Sequence, residues 1–188
     1  KSKKIRLLFV ARYFFKKGGL HTLDVFDRLT KRHDNVEAVC IGPVPKKVID
    51  RYSHNKNIKI FGLMDQKKLF SKYYASSDIF VYPGYSDSFG FAITEALSFG
   101  IPVITMNGYS KGELVSEGKT GFVIKNRKVD MNKISKNEEE VIEEFCKKTS
   151  ILIEDKKLRK RMSLLARKEV SVGRFSIKKR NKAIERII

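Results

Sequence analysis

The sequence predicts an α/β domain built on a Rossmann-like parallel sheet of about six strands, with helices on both faces. Three observations predict it. Short, predominantly apolar runs recur up to residue 124, as expected of strands covered on both faces. Segments with apolar residues at helical spacing lie between those runs, the order of a parallel sheet joined by crossover helices. Beyond residue 124 the spacing is helical only, which predicts C-terminal helices that close the domain. With 188 residues, 41% of them hydrophobic, the chain is long enough for one core, so residues 1–188 are read as a single domain.

The elements follow in order. Ile5–Ala11, apolar but for Arg6, is the first strand. Gly18-Gly19 end the turn after it. Leu20–His33 then carries Leu20, Leu23, Val25, Phe26 and Leu29 at helical spacing. Val36–Ile41 is a strand stopped by Gly42-Pro43, and Val44–Tyr52 fits a short helix. Ile58–Phe61 is a third strand, and Asp65–Tyr74 a helix with Asp65 as its N-cap. Asp78–Tyr82 is a strand ended by Pro83. Phe91–Ser98 is a helix closed by Gly100. Ile101–Thr105 is a strand, Gly112–Ser116 a short helix and Gly121–Ile124 the last strand. Three helices follow, over Glu138–Ile153, Lys156–Val170 and Ser176–Ile188. The polar segment Lys125–Lys136 reads as a mobile connection.

Composition removes several functional classes. No apolar run approaches the ~20 residues of a membrane helix. The basic-then-apolar start is interrupted by Arg12 and Lys16 and has no small-residue cleavage site, so it reads as a strand and not a leader. Cys40 and Cys146 lie far apart in apolar surroundings and read as core thiols of a reducing, cytoplasmic compartment. His21, His33 and His54 lack zinc-ligand spacing. The formal net charge is +19, and from Lys147 to Ile188 fifteen Lys/Arg face four acids. Such a tail suits solvated helices or attraction to the anionic cytoplasmic face of a membrane. A nucleic-acid partner is not expected, because no aromatic-interleaved basic strand or recognition helix is present.

In a doubly wound sheet, ligands bind beyond the carboxyl ends of the strands. The loop after the first strand holds Arg12, Lys16, Lys17, Gly18 and Gly19 but no G-x-G-x-x-G, which disfavours a dinucleotide enzyme. Arg12 and Lys17 fit a diphosphate, and equally fit surface cations of a basic protein. The loop after Tyr82 runs into a helix through Asp87, Ser88, Phe89, Gly90 and Phe91. The N–H groups around Phe89, Gly90 and Phe91 form an anion site at a helix start. Glu95 stands among Phe91, Ala92, Ile93, Ala96 and Leu97, and a carboxylate there needs a partner, such as a ribose diol or a salt bridge. Asp87 fits the same site or a turn. The loop Met106–Glu113 contributes Glu113 and glycines, either to a pocket or to structure alone. Gly118-Lys119-Thr120 is a turn and no phosphate loop, since Glu113 stands where that motif needs glycine.

The run SSDIFVYPGYSDSFGFAITEALSFGIPVITMNGYSKGELVSEGKTGFVI resembles the signature half of glycosyltransferase family 4. Its E-x7-E motif falls on Asp87 and Glu95, and Ala11-Arg12…Lys17-Gly18 resembles the family's G-R-x-x-x-x-K-G segment. The resemblance spans nearly the whole chain. It implies a GT-B enzyme whose donor half this chain forms, with the N-terminal acceptor domain absent. It further implies a retaining hexosyl transfer from a UDP-, GDP- or ADP-sugar to an acceptor hydroxyl; no D-x-D pair appears, so no metal or other cofactor is expected. By this resemblance Arg12 and Lys17 contact the diphosphate and Glu95 the ribose. Asp87 contacts the sugar, residues Ser88, Phe89, Gly90 and Phe91 offer N–H groups, and backbone near Leu63 and Met64 meets the base. Three departures stand out: the first acid is Asp, the residue after it is Ser88, and a Gly-Gly is replaced by Asn107-Gly108. The alternative is a degenerate nucleotide-binding or docking module without transferase activity.

Overall fold

The structure, a computed structural model, describes residues 4–87, 89–125 and 138–185. Six strands form one sheet: β1 (Ile5–Val10), β2 (Val36–Ile41), β3 (Ile58–Phe61), β4 (Ile79–Tyr82), β5 (Val103–Met106) and β6 (Gly121–Ile124). Their spatial order is β3-β2-β1-β4-β5-β6, and every pairing is parallel. The central strands are buried on both faces, with Leu7, Leu8, Phe9, Ile79, Phe80 and Val81 fully enclosed. This is why their sequences are predominantly apolar and do not alternate; Arg6 in β1 pairs with Glu37 in β2 at 2.6 Å.

From β1 the chain steps to β2 and β3 in one direction, and from β4 to β5 and β6 in the other. Crossovers between parallel strands are right-handed. The reversal therefore puts α1 (Gly19–Arg32), between β1 and β2, on the opposite face from α4 (Phe91–Ser98), between β4 and β5. α6 (Glu138–Glu154) packs beside α1, and α7 (Lys156–Ser171) packs against α4. Arg28 on α1 reaches Glu139 and Glu143 on α6, each at 2.5 Å, fixing the rotation of one helix against the other. The domain is completed by α8 (Ile177–Ile184), capped by Ser176, whose side chain accepts from the Lys179 N–H at 3.4 Å. Cys40 and Cys146 are both buried, and burial pushes their thiols up to about 12 and about 11.

Several elements differ from the sequence expectation, each for a local reason. α2 spans Lys46–Tyr52 and not Val44–Tyr52, because Pro45 holds Val44 out of the helical region and itself sits extended at the N-cap. β5 begins at Val103 because Pro102 has no N–H to donate; its carbonyl still accepts from Phe80 at 2.9 Å. The short helix α5 is Lys111–Leu114, starting one residue and ending two residues earlier than expected. The polar connection falls outside the described residues apart from Lys125.

The segment after β3 departs most. Asp65 is the expected cap, its side chain accepting from the Lys68 N–H at 2.8 Å. The α-helical part, α3, covers only Gln66–Lys68, followed by a π turn over Leu69–Tyr73 and a 3-10 turn over Tyr74–Ser76. Successive side chains of an α-helix diverge around its axis. Here Tyr73 and Tyr74 are adjacent and both buried, an arrangement the wider turn accommodates. Tyr74 then stacks on Phe80 of β4 and reaches across the sheet face toward α4.

Candidate functional site

The strand order reverses between β1 and β4, and a crevice at that point is where a doubly wound sheet takes its ligand. The loops leaving these two strands are joined to each other. Gly84 N–H donates to the Lys17 carbonyl at 3.1 Å and Ser86 N–H to the Lys16 carbonyl at 3.0 Å. In return the Lys17 ammonium donates to the Ser86 carbonyl at 2.5 Å. Gly18 adopts φ 78°, and a Cβ there would lie 2.6 Å from Cβ of Pro83. Only glycine permits both the backbone angle and this approach.

Asp87 is the centre of the joined loops. Its Oδ1 lies 3.1 Å from Lys17 Nζ and accepts from the Gly90 N–H at 3.1 Å. Its Oδ2 accepts from the Tyr82 hydroxyl at 2.7 Å. Burial and the neighbouring Asp87 carboxylate hold the Tyr82 phenol well above its ordinary range. The Gly90 N–H, expected to be free for an anion, is instead spent on Asp87. The reason is geometric: Gly90 takes φ 88°, which turns its N–H back toward the loop as α4 begins. The N–H groups of Phe89, Phe91 and Ala92 have no partner among the described residues, as expected at the open start of a helix. Ser88 lies outside the described residues.

Glu95 is half-buried one turn into α4. Its Oε2 accepts from the Tyr74 hydroxyl at 2.9 Å, and its other oxygen has no partner among the described residues. Burial raises the Glu95 carboxyl above its ordinary value, while the Tyr74 bond pulls the other way. Arg12 is exposed after β1 and pairs with no described residue. Leu63 is exposed and Met64 half-buried against the core, both just past β3. β3 stands two strands from β1, roughly 10 Å away. Thus Arg12, Lys17, Met64, Asp87, Phe89, Gly90 and Phe91 all lie at the carboxyl edge of the sheet, with Glu95 just behind.

Three residues of this site escaped the sequence reading: Tyr74, Tyr82 and Lys111. The two tyrosines look like core aromatics, and only the partner of each hydroxyl sets it apart. Lys111 follows β5 and is 2% exposed, with its ammonium donating to the Gly84 carbonyl at 2.8 Å. In a chain with 40 Lys and Arg, one lysine beside Ser110 and Gly112 carries no signal. Glu113, offered as a pocket residue, sits in α5 and gives its carbonyl to Arg174 at 2.9 Å. Gly118 is a turn residue with φ 69°, as expected.

The family model described as glycosyl transferases group 1 matches residues 1–169. A Klebsiella pneumoniae protein described as an uncharacterized 41.2 kDa protein in the cps region is 31% identical over 134 residues, 70% of this chain and 35% of its own length. The O-antigen chain mannosyltransferase B of Escherichia coli is 33% identical over 84 residues, 45% of this chain and 21% of that protein. The chain thus spans about a third or less of these relatives. Among solved structures, the pneumococcal O-GlcNAc transferase GtfA, in complex with UDP and GlcNAc, superposes with a TM-score of 0.77 at 16% identity, covering 98% of this chain and 36% of that one. The C-terminal domain of the Francisella tularensis group 1 protein LpcC gives 0.71 at 20% identity, covering 89% and 84%. At such identities the likeness is one of fold. The family match covers most of the sequence, and the chain belongs to the group 1 glycosyl transferases.

Proposed function

We propose that residues 1–188 form the donor-binding domain of a retaining glycosyltransferase. It takes a nucleoside-diphosphate sugar and works with a separate acceptor domain. The observation that carries this reading is Glu95: a half-buried carboxylate with one oxygen held by Tyr74 and the other, like the N–H groups of the adjoining helix start, unpartnered among the described residues. A vicinal diol, as on a ribose, satisfies such an oxygen. Lys17, Arg12 and the N–H groups of Phe89, Phe91 and Ala92 supply positive charge for the diphosphate, and Met64 lies where a base would extend along the edge. Their role is to stabilise the charge that builds on the departing diphosphate, from groups fixed before the reaction begins. Asp87 keeps a lone pair for a sugar hydroxyl beyond its three protein partners. No metal enters this scheme, so chelators should leave donor binding unchanged. The basic C-terminal helices would attract an anionic membrane surface, measured as co-sedimentation with phosphatidylglycerol vesicles that fades with salt.

The test is calorimetric titration of UDP, GDP and ADP into the chain. Glu95→Ala should abolish binding with the fold intact; a loss within about twofold, or ~0.4 kcal/mol, would remove Glu95 from the site. Arg12→Ala should weaken diphosphates far more than nucleosides. No binding of any of the three at millimolar concentration would make the chain a degenerate docking module instead.

A further inference from the structure

Between the loops after β4 and β5 lies a cleft of about 150 Å³, bounded by Pro83 and Tyr85 on one side and Met106 and Tyr109 on the other. Lys111 is its one charged lining residue among the described residues. An ammonium carries three donors. One goes to the Gly84 carbonyl, and the other two have no acceptor among the described residues. The Tyr109 ring centroid lies 5.1 Å away, a weak partner for a charge.

The charged groups around Lys111 do not complete it. Asp87 favours the charged form, but Lys17 and the Gly90 N–H engage one of its oxygens and the Tyr82 hydroxyl the other. The like charge of Lys17 opposes it. Burial is the largest influence and pulls Lys111 down to about 8, which still leaves it mostly protonated at neutral pH. The result is a charged, under-coordinated ammonium on the wall of an open cleft. A buried charge in that state is costly until a counter-ion arrives. A hydroxyl can accept one of its hydrogen bonds, whereas a carboxylate also neutralises it. Tyr109 adds a further mark: its φ of 52° makes it the one non-glycine residue in the left-handed region among the described residues. Strain of that kind collects at ligand sites.

The two lysines flank the Gly84–Asp87 segment from different neighbours. Lys17, from the β1 loop, holds the Ser86 carbonyl, and Lys111, from the β5 side, holds that of Gly84. The diphosphate position belongs to the first, which leaves the cleft for the other end of the donor. We propose that this cleft is the glycosyl subsite and that Lys111 selects a donor sugar bearing a carboxylate, of the hexuronate class. The proposal rests on the donor-binding reading above. In it, the Lys111 ammonium pairs with the sugar carboxylate while Pro83, Tyr85 and Tyr109 supply apolar surface for the sugar's C–H faces.

The experiment titrates matched donors into the chain: UDP-glucose against UDP-glucuronate, and GDP-mannose against GDP-mannuronate. The acidic member of at least one pair should bind about tenfold or more tightly. Lys111→Met should bring that ratio to one, and Lys111→Arg should keep part of it. Equal affinity within both pairs for the wild-type chain would overturn the proposal whether or not the variants fold. A preference that survives Lys111→Met would overturn it too, since that preference would then reflect only the chain's net positive charge. Nucleotide binding without acid preference sinks this inference alone, whereas absence of all nucleotide binding sinks the donor reading with it.

Discussion

Replacing Lys111 with methionine gives the sharpest test of the charge balance at the site. Lys111 titrates at 10.5 in its ordinary state and at about 8 in the fold, chiefly because burial disfavours its charge. Each tenfold change in proton affinity is worth about 1.36 kcal/mol. Holding the lysine charged therefore weakens the fold by about 3 kcal/mol at neutral pH, as an order of magnitude. Between the two values the unfolded chain binds more protons than the folded one, so this handicap shrinks as pH rises. From pH 7 to pH 9.5 the wild-type chain should gain about 2 kcal/mol relative to Lys111→Met. The groups facing Lys111 are Asp87, Lys17, Tyr82, Tyr85 and Tyr109. Burial holds Tyr82 and Tyr85 above their ordinary range, so both stay neutral through this window. Urea denaturation of both proteins at half-unit pH steps reads the difference directly. Stability curves that run parallel would mean that Lys111 is well solvated in the fold, and the case for an under-coordinated charge would fall with it.

Further outcomes follow from the same geometry. Tyr74→Phe removes the bond that holds the Glu95 carboxyl down against burial, so its pKa should rise further; a carboxyl titration by NMR that shows no rise would contradict the contact. Gly90→Ala forces a side chain into φ 88° and 3.0 Å from Leu114 Cδ1, and should destabilise the fold by ~1–2 kcal/mol, seen as a fall in Tm of a few degrees. Cys40 and Cys146 should resist thiol reagents until the chain unfolds, because burial raises both far above neutrality; fast labelling at neutral pH without unfolding would count against the packing.

The fold is readable because parallel strands write themselves as short, predominantly apolar runs. Val36–Ile41, Ile58–Phe61 and Gly121–Ile124 coincide with strands as expected. What the sequence leaves out is the geometry of turns. Nothing in Gln66–Ser76 announces a π turn, since both helix types tolerate the same residues. Yet that turn is what delivers Tyr74 to Glu95. The candidate site divides along a similar line. Glu95 is conspicuous as a carboxylate in an apolar helix. Lys111 is invisible, because burial of a lysine depends on which loop folds over it and not on its neighbours in sequence. The Gly90 N–H looked available because its competitor, the Asp87 side chain, becomes one only after the loop has closed.

The joined loops after β1 and β4 have a consequence for how this site can change over time. With Gly18 seated on Pro83, and Lys16 and Lys17 bonded to residues 84 and 86, neither loop has a shape of its own. A substitution in one alters the partner surface of the other, so changes in the two segments should be strongly non-additive. Grafting a relative's β4 loop alone would leave backbone donors facing the wrong acceptors. The functional unit of exchange is the pair of loops, a two-piece cassette inherited or transplanted together. A ligand that meets such a cassette finds it assembled, and its binding energy need not be spent on ordering the chain.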